Sequence, residues 1–416
     1  MWTDARGSDT FDRPEGEFLD ARFTLTCQAP VRLIAASAVA LVSCSPEQRP
    51  ENLEPVSSGG AYQAQYRDTR KDDPRSSAAL NAAACRAPLG GAQRHRRSYA
   101  SLGGEALSRG DLLDVRIVGD ETFSHAYEVS QDGTVKLPFI GAIPAAGQNV
   151  GAIETIISER LIAQDFYETP PQISVLVRDF GSARVGVSGA VFEPHAVELG
   201  LKGDTMDERR QDAFGSSTEA RNLSSALRAA GGVRPDADLS AVKVLRGGTA
   251  YTLDMRGAID GTGYEDMMLI SGDQVSVPSR GCFQEALMVP GPISPPGVSL
   301  FLSNLTSPAT GNAVSSIGRE SREMPYGTRF LQAVINANCV GGVLATSASR
   351  SAALLSRNPE TRVSVVIARS VEDMMTRADR DNYDPYLLPG DGIACYDSAI
   401  TNVTDVARSL SMIMGL

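Results

Sequence analysis

The sequence of 416 residues has little of what most catalytic and nucleic-acid-binding chains need. It contains three histidines, one tryptophan and only 6% aromatic residues. No two of its six cysteines form a Cys-x-x-Cys pair, so neither a zinc site nor a dithiol redox motif is predicted. The net charge of −11 argues against binding to a phosphate backbone, and we expect no nucleic-acid partner. No apolar run reaches the roughly 20 residues that a lone spanning helix requires.

Motifs that carry chemistry are also missing. His95, His125 and His195 are isolated and lack the spacing of a metal site. Neither a Gly-x-Ser-x-Gly nucleophile turn nor a phosphate-binding Gly-x-x-x-x-Gly-Lys loop occurs. We therefore predict a protein that is not an enzyme and that needs no cofactor or metal. A glycosidase needs only two suitably separated carboxylates, and the sequence leaves that alternative open.

What the chain does have is enough apolar sequence for packed cores, at 42% of residues. Its 39 glycines and 23 prolines predict many turns and short strands. The length predicts about two to four modules. Cys282, Cys339 and Cys395 can pair among themselves in an oxidising compartment, which the sequence alone leaves open.

Residues 31–44 have the features of a signal peptide. Arg32 precedes a short apolar stretch, which small residues connect to Cys44. The end, Leu41-Val42-Ser43-Cys44, resembles a bacterial lipobox, which implies cleavage before Cys44, its acylation, and anchoring by acyl chains. Ser45 at the next position favours the outer membrane in such lipoproteins. The alternative is a buried strand or helix that happens to end in cysteine.

The polar residues 1–30 do not suit a secretion signal, and our hypothesis is that translation begins near Val31. Residues 45–100 are polar and lack clear periodicity, which predicts a flexible tether. A basic cluster within it, Arg94-His95-Arg96-Arg97, is most simply a solvated surface feature.

Residues 101–182 predict an α+β module with one helix on a sheet. Leu113, Val115 and Ile117 alternate as in a strand. Asp132-Gly133 between apolar runs predicts a hairpin. Asn149 is a helix cap, and apolar residues then recur at helical spacing, at Val150, Ile153, Ile156, Ile157 and Leu161.

Three segments of this module resemble the polysaccharide export domain of Wza-like outer-membrane exporters. They are Leu107–Asp111, Val129–Gly141 and Pro171–Val175, in the family's order. The positions that carry the resemblance are Gly110, Asp111, Asp132, Gly133, Pro138 and Gly141.

The rest of the chain contains an apparent repeat. Val187–Pro194 matches Val289–Pro296, which pairs Gly189 with Gly291. Further matches pair Leu223–Gly232 with Phe330–Gly342, Val242–Leu245 with Val363–Val366, and Gly272-Asp273 with Gly390-Asp391.

The two units, 183–280 and 285–397, are similar to the soluble ligand-binding β-grasp (SLBB) domains of the same exporters. We interpret the Gly-Asp pairs as turns rather than ligand sites, because glycine supplies an unusual φ and aspartate caps a turn.

Residues 398–416 predict a short amphipathic helix. Val403, Val406, Leu410 and Ile413 share its apolar face. In the family that the chain resembles, the corresponding helices line a barrel through the outer membrane. The 17 residues from Ile400 span roughly 26 Å, against roughly 30 Å of hydrocarbon. A helix lying at the interface, or docked on the second repeat, is therefore an equal alternative.

The resemblance implies an outer-membrane lipoprotein whose body lies in the periplasm and forms a homo-oligomeric ring. Such a ring would export capsular polysaccharide or exopolysaccharide. It also implies an inner-membrane polysaccharide co-polymerase, commonly a tyrosine autokinase, as partner. The rival hypothesis is a monomeric periplasmic lipoprotein that binds glycan or a small ligand through its β-grasp units.

Overall fold

The computed structural model describes residues 50–56, 61–68, 75–85, 106–200, 219–304, 322–337, 339–340 and 350–396. Within these ranges helices and mostly antiparallel strands share the same units, and the predicted α+β class is confirmed. The first helix, α1, is Ser77–Ala84. The predicted lipid-attachment residue Cys44 and the predicted membrane helix of residues 398–416 lie outside the described residues.

The first unit spans residues 107–180. Its elements are β1 Leu112–Ile117, β2 Ala126–Glu128, β3 Thr134–Leu137, β4 Gly141–Pro144, α2 Val150–Ala163 and β5 Ile173–Asp179. One sheet has the order β2-β1-β5, and β3 and β4 form a separate hairpin. Leu113, Val115 and Ile117 are buried along β1, as their alternation predicts.

Helix α2 forms as the sequence predicts. The Asn149 side chain accepts a hydrogen bond from the N–H of Ala152 at 2.8 Å, which caps the first turn. Ile153, Ile157 and Leu161 are fully buried against the sheet. These three residues lie on one face because their spacing is close to the helical period.

The predicted turn at Asp132-Gly133 forms, with hydrogen bonds from the N–H of Gly133 to the carbonyl of Ser130 and from the N–H of Ser130 to the carbonyl of Thr134, but β2 and β3 are not paired as a hairpin. β2 pairs with β1, and β3 pairs with β4 through Leu137 opposite Gly141. Residues 129–133 separate β2 from β3, which is too long for a two-residue turn. A tight turn is nevertheless present, with Gly133 at φ +80° while Asp132 keeps a negative φ.

The second and third units are five-stranded mixed sheets with the same strand order. The second contains β6 Ala183–Gly189, β7 Ala196–Leu199, α3 Leu223–Ala229, β8 Val242–Arg246, β9 Thr249–Leu253, α4 Gly257–Asp260 and β10 Gln274–Val277. The third contains β11 Val298–Asn304, β12 Arg322–Met324, α5 Phe330–Asn336, β13 Ser351–Arg357, β14 Ser364–Ser370, α6 Val371–Thr376 and β15 Gly392–Tyr396. The orders are β7-β6-β10-β8-β9 and β12-β11-β15-β13-β14.

The N-termini of α3 and α5, the first described helix of each of these two units, have the same kind of hydrogen-bond partner. Asp266 accepts a hydrogen bond from the N–H of Ser224 in α3 at 2.8 Å, and Asp384 accepts one from the N–H of Leu331 in α5 at 2.8 Å. Both carboxylates come from the segment that precedes the last strand of their unit. The chain therefore builds one arrangement twice.

Strand register corrects two of the sequence matches. Gly189 pairs with Val277 in β10, and the position that pairs equivalently with β15 is Asn304, not Gly291. Gly291 lies in the connector between the units, beside Ile293, which is buried in the core of the second unit. By strand order, β8 corresponds to β13, so the match of Val242–Leu245 to Val363–Val366 is also wrong. Short apolar strings look alike, and only the strand pairing separates them.

The N-terminal segment differs from the predicted tether. Tyr62 and Tyr66 are buried in the core of the third unit. Nη2 of Arg369 in β14 donates to the carbonyls of Gln65, Tyr66 and Arg67, at 3.0, 2.8 and 3.1 Å. These contacts join residues about 300 positions apart, so no local pattern could have predicted them.

The four cysteines among the described residues form two disulfides. Cys339 pairs with Cys395 inside the third unit, one of the pairings that the sequence left open. Cys282 pairs instead with Cys85 of the N-terminal segment, 197 positions away. The second bond ties the segment that contains α1 to the end of the second unit.

A matched pair of glycine substitutions tests the packing of β6 on β10. A Cβ on Gly189 would lie 2.1 Å from the carbonyl oxygen of Val277, whereas a Cβ on Gly248, in the β8–β9 turn, would meet no atom within 4 Å. Both have similar φ values, +88° and +84°. Gly248→Ala should lower the free energy of unfolding by roughly 1–2 kcal/mol through φ alone. Gly189→Ala should lower it by roughly 1–3 kcal/mol more, measured by denaturant unfolding. Equal effects would contradict the close strand approach.

Candidate functional site

Three turns of one geometry lie at the entrances to strands β1, β10 and β15. In each, a glycine has a positive φ, of +84°, +99° or +87°, which residues with a Cβ rarely adopt. The aspartate that follows accepts a hydrogen bond on Oδ2 from the N–H three residues earlier, at 2.7, 2.9 and 2.9 Å. The pairs are Gly110-Asp111, Gly272-Asp273 and Gly390-Asp391.

The three aspartates are buried, and each Oδ1 contacts a different partner. Asp111 pairs with Arg221 and Asp273 with Arg246, whereas Asp391 accepts a hydrogen bond from Ser356. By strand register Arg246 and Ser356 occupy equivalent positions in β8 and β13. The turns are thus structural, and they differ in the side chain that each carboxylate contacts.

Asp111 binds the first unit to the second. Its Oδ1 lies 2.6 Å from Arg221 Nη1 and accepts a hydrogen bond from the N–H of Gly181 at 2.9 Å. Arg221 is fully buried, with its guanidinium carbon 5.3 Å from the centre of the Phe180 ring. Burial raises the pKa of the Asp111 carboxyl, and the Arg221 charge and the two amides oppose that rise.

Further contacts close the same junction. The N–H of Ser271 donates to Ser108 Oγ at 3.0 Å, and Met268 of the second unit is buried in the core of the first. A Cβ on Gly181 would lie 2.6 Å from the backbone of Gly110, so this crossing needs glycine. The two units therefore meet through backbone as well as side chains.

Asp391 is fully buried without a cation among its described contacts. Its carboxylate accepts hydrogen bonds from Ser356 Oγ at 2.7 Å and from the N–H of Leu388, and Ser356 Oγ in turn accepts one from the Tyr66 hydroxyl at 3.0 Å. Burial raises the pKa of Asp391 to about 7, and the two hydrogen bonds oppose the rise. The third turn thereby reaches the N-terminal segment.

The remaining predicted motif residues of the first unit shape its hairpin. Asp132 Oδ1 accepts hydrogen bonds from the N–H and the hydroxyl of Thr134, which lower the pKa of Asp132 to about 2. Pro138 and Gly141 flank the tip of the β3–β4 hairpin, where Gly141 has a φ of +78°. These residues fix backbone conformation, and Asp132 is exposed.

No cluster of histidine, cysteine, aspartate or glutamate among the described residues could hold a metal ion. His125 and His195 are both exposed and far apart in sequence. Over the same described ranges, no helix is long and apolar enough to cross a membrane.

Sequence reasoning found the three aspartates but missed their partners. Arg221, Arg246 and Ser356 follow no motif, and Arg221 lies 110 positions from Asp111. The available signal was weak: a lone arginine two residues before a predicted helix. Tyr66 and Arg369 were missed because the segment 45–100 was expected to be a tether.

The buried carboxyl of Asp391 predicts a pH-dependent stability. The folded pKa of Asp391 is about 7, above its ordinary value, so its protonated form stabilises the fold at low pH, and this contribution is lost as pH rises to 7. An asparagine does not titrate, so Asp391→Asn should not lose stability in this way. The free energy of unfolding of the variant, relative to that of the parent, should therefore rise by on the order of 4 kcal/mol from pH 4 to pH 8.

The control is Asp273→Asn, which leaves Arg246 without its carboxylate and should destabilise the protein throughout this range. Both are measured by denaturant unfolding with the disulfides intact. Parallel pH profiles for Asp391→Asn and the parent would contradict the assignment.

Comparison with known proteins identifies the first unit. No curated protein matches the chain. The family model described as polysaccharide biosynthesis/export protein matches residues 104–178. That stretch contains β1 to β4, α2, all but the last residue of β5 and all six predicted motif residues, so the resemblance predicted from the sequence is confirmed there. Residues 104–178 thus match the polysaccharide biosynthesis/export family, which supports a role in polysaccharide export.

Proposed function

We propose that this chain is an outer-membrane lipoprotein that assembles into a homo-oligomeric ring and conducts capsular polysaccharide or exopolysaccharide through its centre. The export domain supports a role in polysaccharide export. The observation that carries the proposal is the Asp111–Arg221 junction, which joins that domain to a second packed unit without a linker. A ring of such subunits needs no catalytic residue, only closure around a hydrated path.

The second and third units are proposed to be SLBB domains. Each is a five-stranded mixed sheet whose strands, numbered within the unit, have the order 2-1-5-3-4. A helix follows the second strand in each unit and packs on the sheet. This order fits a β-grasp fold. The domain bounds 183–280 and 285–397 remain those proposed from the sequence.

An extracytoplasmic location is supported by the disulfides. Cys85–Cys282 and Cys339–Cys395 are bonds of a kind that persists in oxidising compartments and is rare in the cytosol. The bacterial periplasm is such a compartment. We therefore propose that the body lies in the periplasm.

The proposed anchor would emerge beside the third unit. Asn52 pairs with both backbone groups of Val366 in β14, at 2.7 and 3.0 Å. Cys44 precedes Pro50 by six positions, so the acylated cysteine reaches at most roughly 20 Å beyond it. In the proposal, this short chain length keeps the third unit near the membrane.

Ring closure would use head-to-tail contacts between identical subunits. In the proposal, helices of residues 398–416 gather with Val403, Val406, Leu410 and Ile413 toward lipid and polar faces toward water. An interfacial position for these helices is the alternative. An inner-membrane polysaccharide co-polymerase of the tyrosine autokinase type is the proposed partner at the periplasmic end.

The anchor is tested with two cysteine substitutions. Cys44→Ser should abolish palmitate labelling, release the protein from outer-membrane fractions, and reduce surface polymer at least tenfold. Cys27→Ser is the control, because Cys27 precedes both the proposed translation start near Val31 and the proposed cleavage site, so its substitution should change none of these. Labelling, fractionation and polymer quantification are made on the same cells.

Unchanged membrane association and polymer in Cys44→Ser would overturn the anchor. A released protein that is monomeric and still binds glycan, with surface polymer unaffected, would favour the rival binding module.

A further inference from the structure

Aromatic side chains concentrate at one end of the export domain. Three loops meet there: residues 118–125 after β1, the β3–β4 tip at 138–140, and residues 164–167 after α2. We name the surface formed by Phe139, Phe166, Tyr167 and Tyr127 the aromatic ledge. Only 6% of the whole chain is aromatic, so this concentration is not a consequence of composition.

Phe139 is held out in solvent in a backbone conformation that phenylalanine rarely adopts. Its side chain is 76% exposed and its φ is +65°. Glycine or asparagine would suit that φ better, and a polar residue would suit that exposure better. Neighbouring Ile140 is buried, which anchors the tip and leaves the Phe139 ring outside the core. The Phe139 ring is therefore exposed at the surface and does not contribute to the core.

The exposed ring belongs to a supported stack. The Phe166 ring, 44% exposed, lies 6.3 Å from that of Phe139 with the planes tilted by 40°. Behind it, buried Phe123 contacts Phe166 edge-on at 5.4 Å. A buried ring under an exposed one fixes the position of the exposed face. The ledge is thus preformed.

Hydrogen-bonding groups border the rings. Asp120 Oδ2 accepts a hydrogen bond from the Tyr167 hydroxyl at 2.6 Å, and the Tyr127 hydroxyl donates to the carbonyl of Phe123 at 3.0 Å. The Tyr167 hydrogen bond lowers the pKa of Asp120, which keeps this carboxylate charged. Asp165 and His125, both exposed, lie in the same loops. Apolar faces beside fixed polar atoms match a ligand that is itself apolar on one face and polar at its edge.

We propose that the aromatic ledge binds the exported polymer by stacking Phe139 and Phe166 against the C–H faces of its pyranose rings, with hydroxyl groups toward Asp120 and Tyr167. This site deepens the proposed export function and rests on it. A pyranose ring has axial C–H groups on its faces and hydroxyls around its edge, which is the chemistry the ledge presents.

A second protein chain fits the ledge less well. Two aromatic rings offer roughly 300–500 Å² when fully covered, against about 800 Å² per partner in a stable protein interface. Covering the ledge with an apolar protein surface would also bury the charged Asp120 carboxylate, which is costly without a cation. A row of sugar rings covers the aromatic faces and leaves the Asp120 carboxylate in contact with hydroxyl groups and water.

The experiment uses the full-length protein in detergent and oligosaccharides from acid-fragmented surface polysaccharide of the source strain. Saturation-transfer NMR should show contact at ring C–H protons. Phe139→Asn, which suits a positive φ, should weaken binding about tenfold, and Phe139→Trp should retain it. Ile335→Ala, another exposed apolar residue, on α5, is the matched control and should leave binding unchanged.

Particle size, measured on the same samples, separates this proposal from the proposed ring. If the parent and Phe139→Asn both form rings and bind the fragments equally well, the proposed sugar site is overturned but the proposed ring is not. If Phe139→Asn abolishes ring formation but keeps the contact with sugar, the aromatic ledge is a contact between subunits, and the proposal that it binds sugar is overturned. A parent protein that is monomeric yet binds fragments through Phe139 would support the ledge and contradict the ring.

Discussion

The fully buried ion pair between Asp111 and Arg221 is the interaction on which the architecture depends. It couples the export domain to the next unit where a flexible linker would otherwise be possible. Burying two charges is costly, and Arg221 Nη2 has no hydrogen-bond partner among the described residues. Such a pair contributes little to net stability. Its main effect is to fix one arrangement of the first unit on the second, because any other arrangement would leave a buried charge unpaired.

The same Gly-Asp turn serves three purposes in one chain. At Asp111 it joins two units, at Asp273 it holds the neighbouring strand through Arg246, and at Asp391 it reaches the N-terminal segment through Ser356 and Tyr66. The backbone of the turn is kept by glycine and the aspartate cap. What has changed between the units is one partner, arginine or serine, at an equivalent strand position. That difference leaves Asp391 without a cation among its described contacts, and burial raises its pKa to about 7.

Local features could be predicted from the sequence, and long-range ones could not. Helix α2 was predictable because Asn149 and the spacing of its apolar residues act within one element. The turn at Asp132-Gly133 was predictable, but the pairing of the strands around it was not, because β2 pairs with β1 and β3 with β4. The match of Gly189 to Gly291 failed because strand register, not string similarity, defines equivalence. The buried N-terminal segment depends on Arg369, about 300 positions away, and on a disulfide whose partner no local pattern indicates.

Together these features describe a domain that matches the export family, two units of one topology, and an N-terminal segment whose described residues pack on the third unit. The central claim is that copies of this subunit surround a passage. Averaged electron micrographs of the full-length protein, extracted in detergent and imaged without cross-linking, test it most directly. The account predicts rotationally symmetric particles with an axial opening and a mass several times 44.1 kDa. Particles of a single chain's mass at high concentration would contradict it.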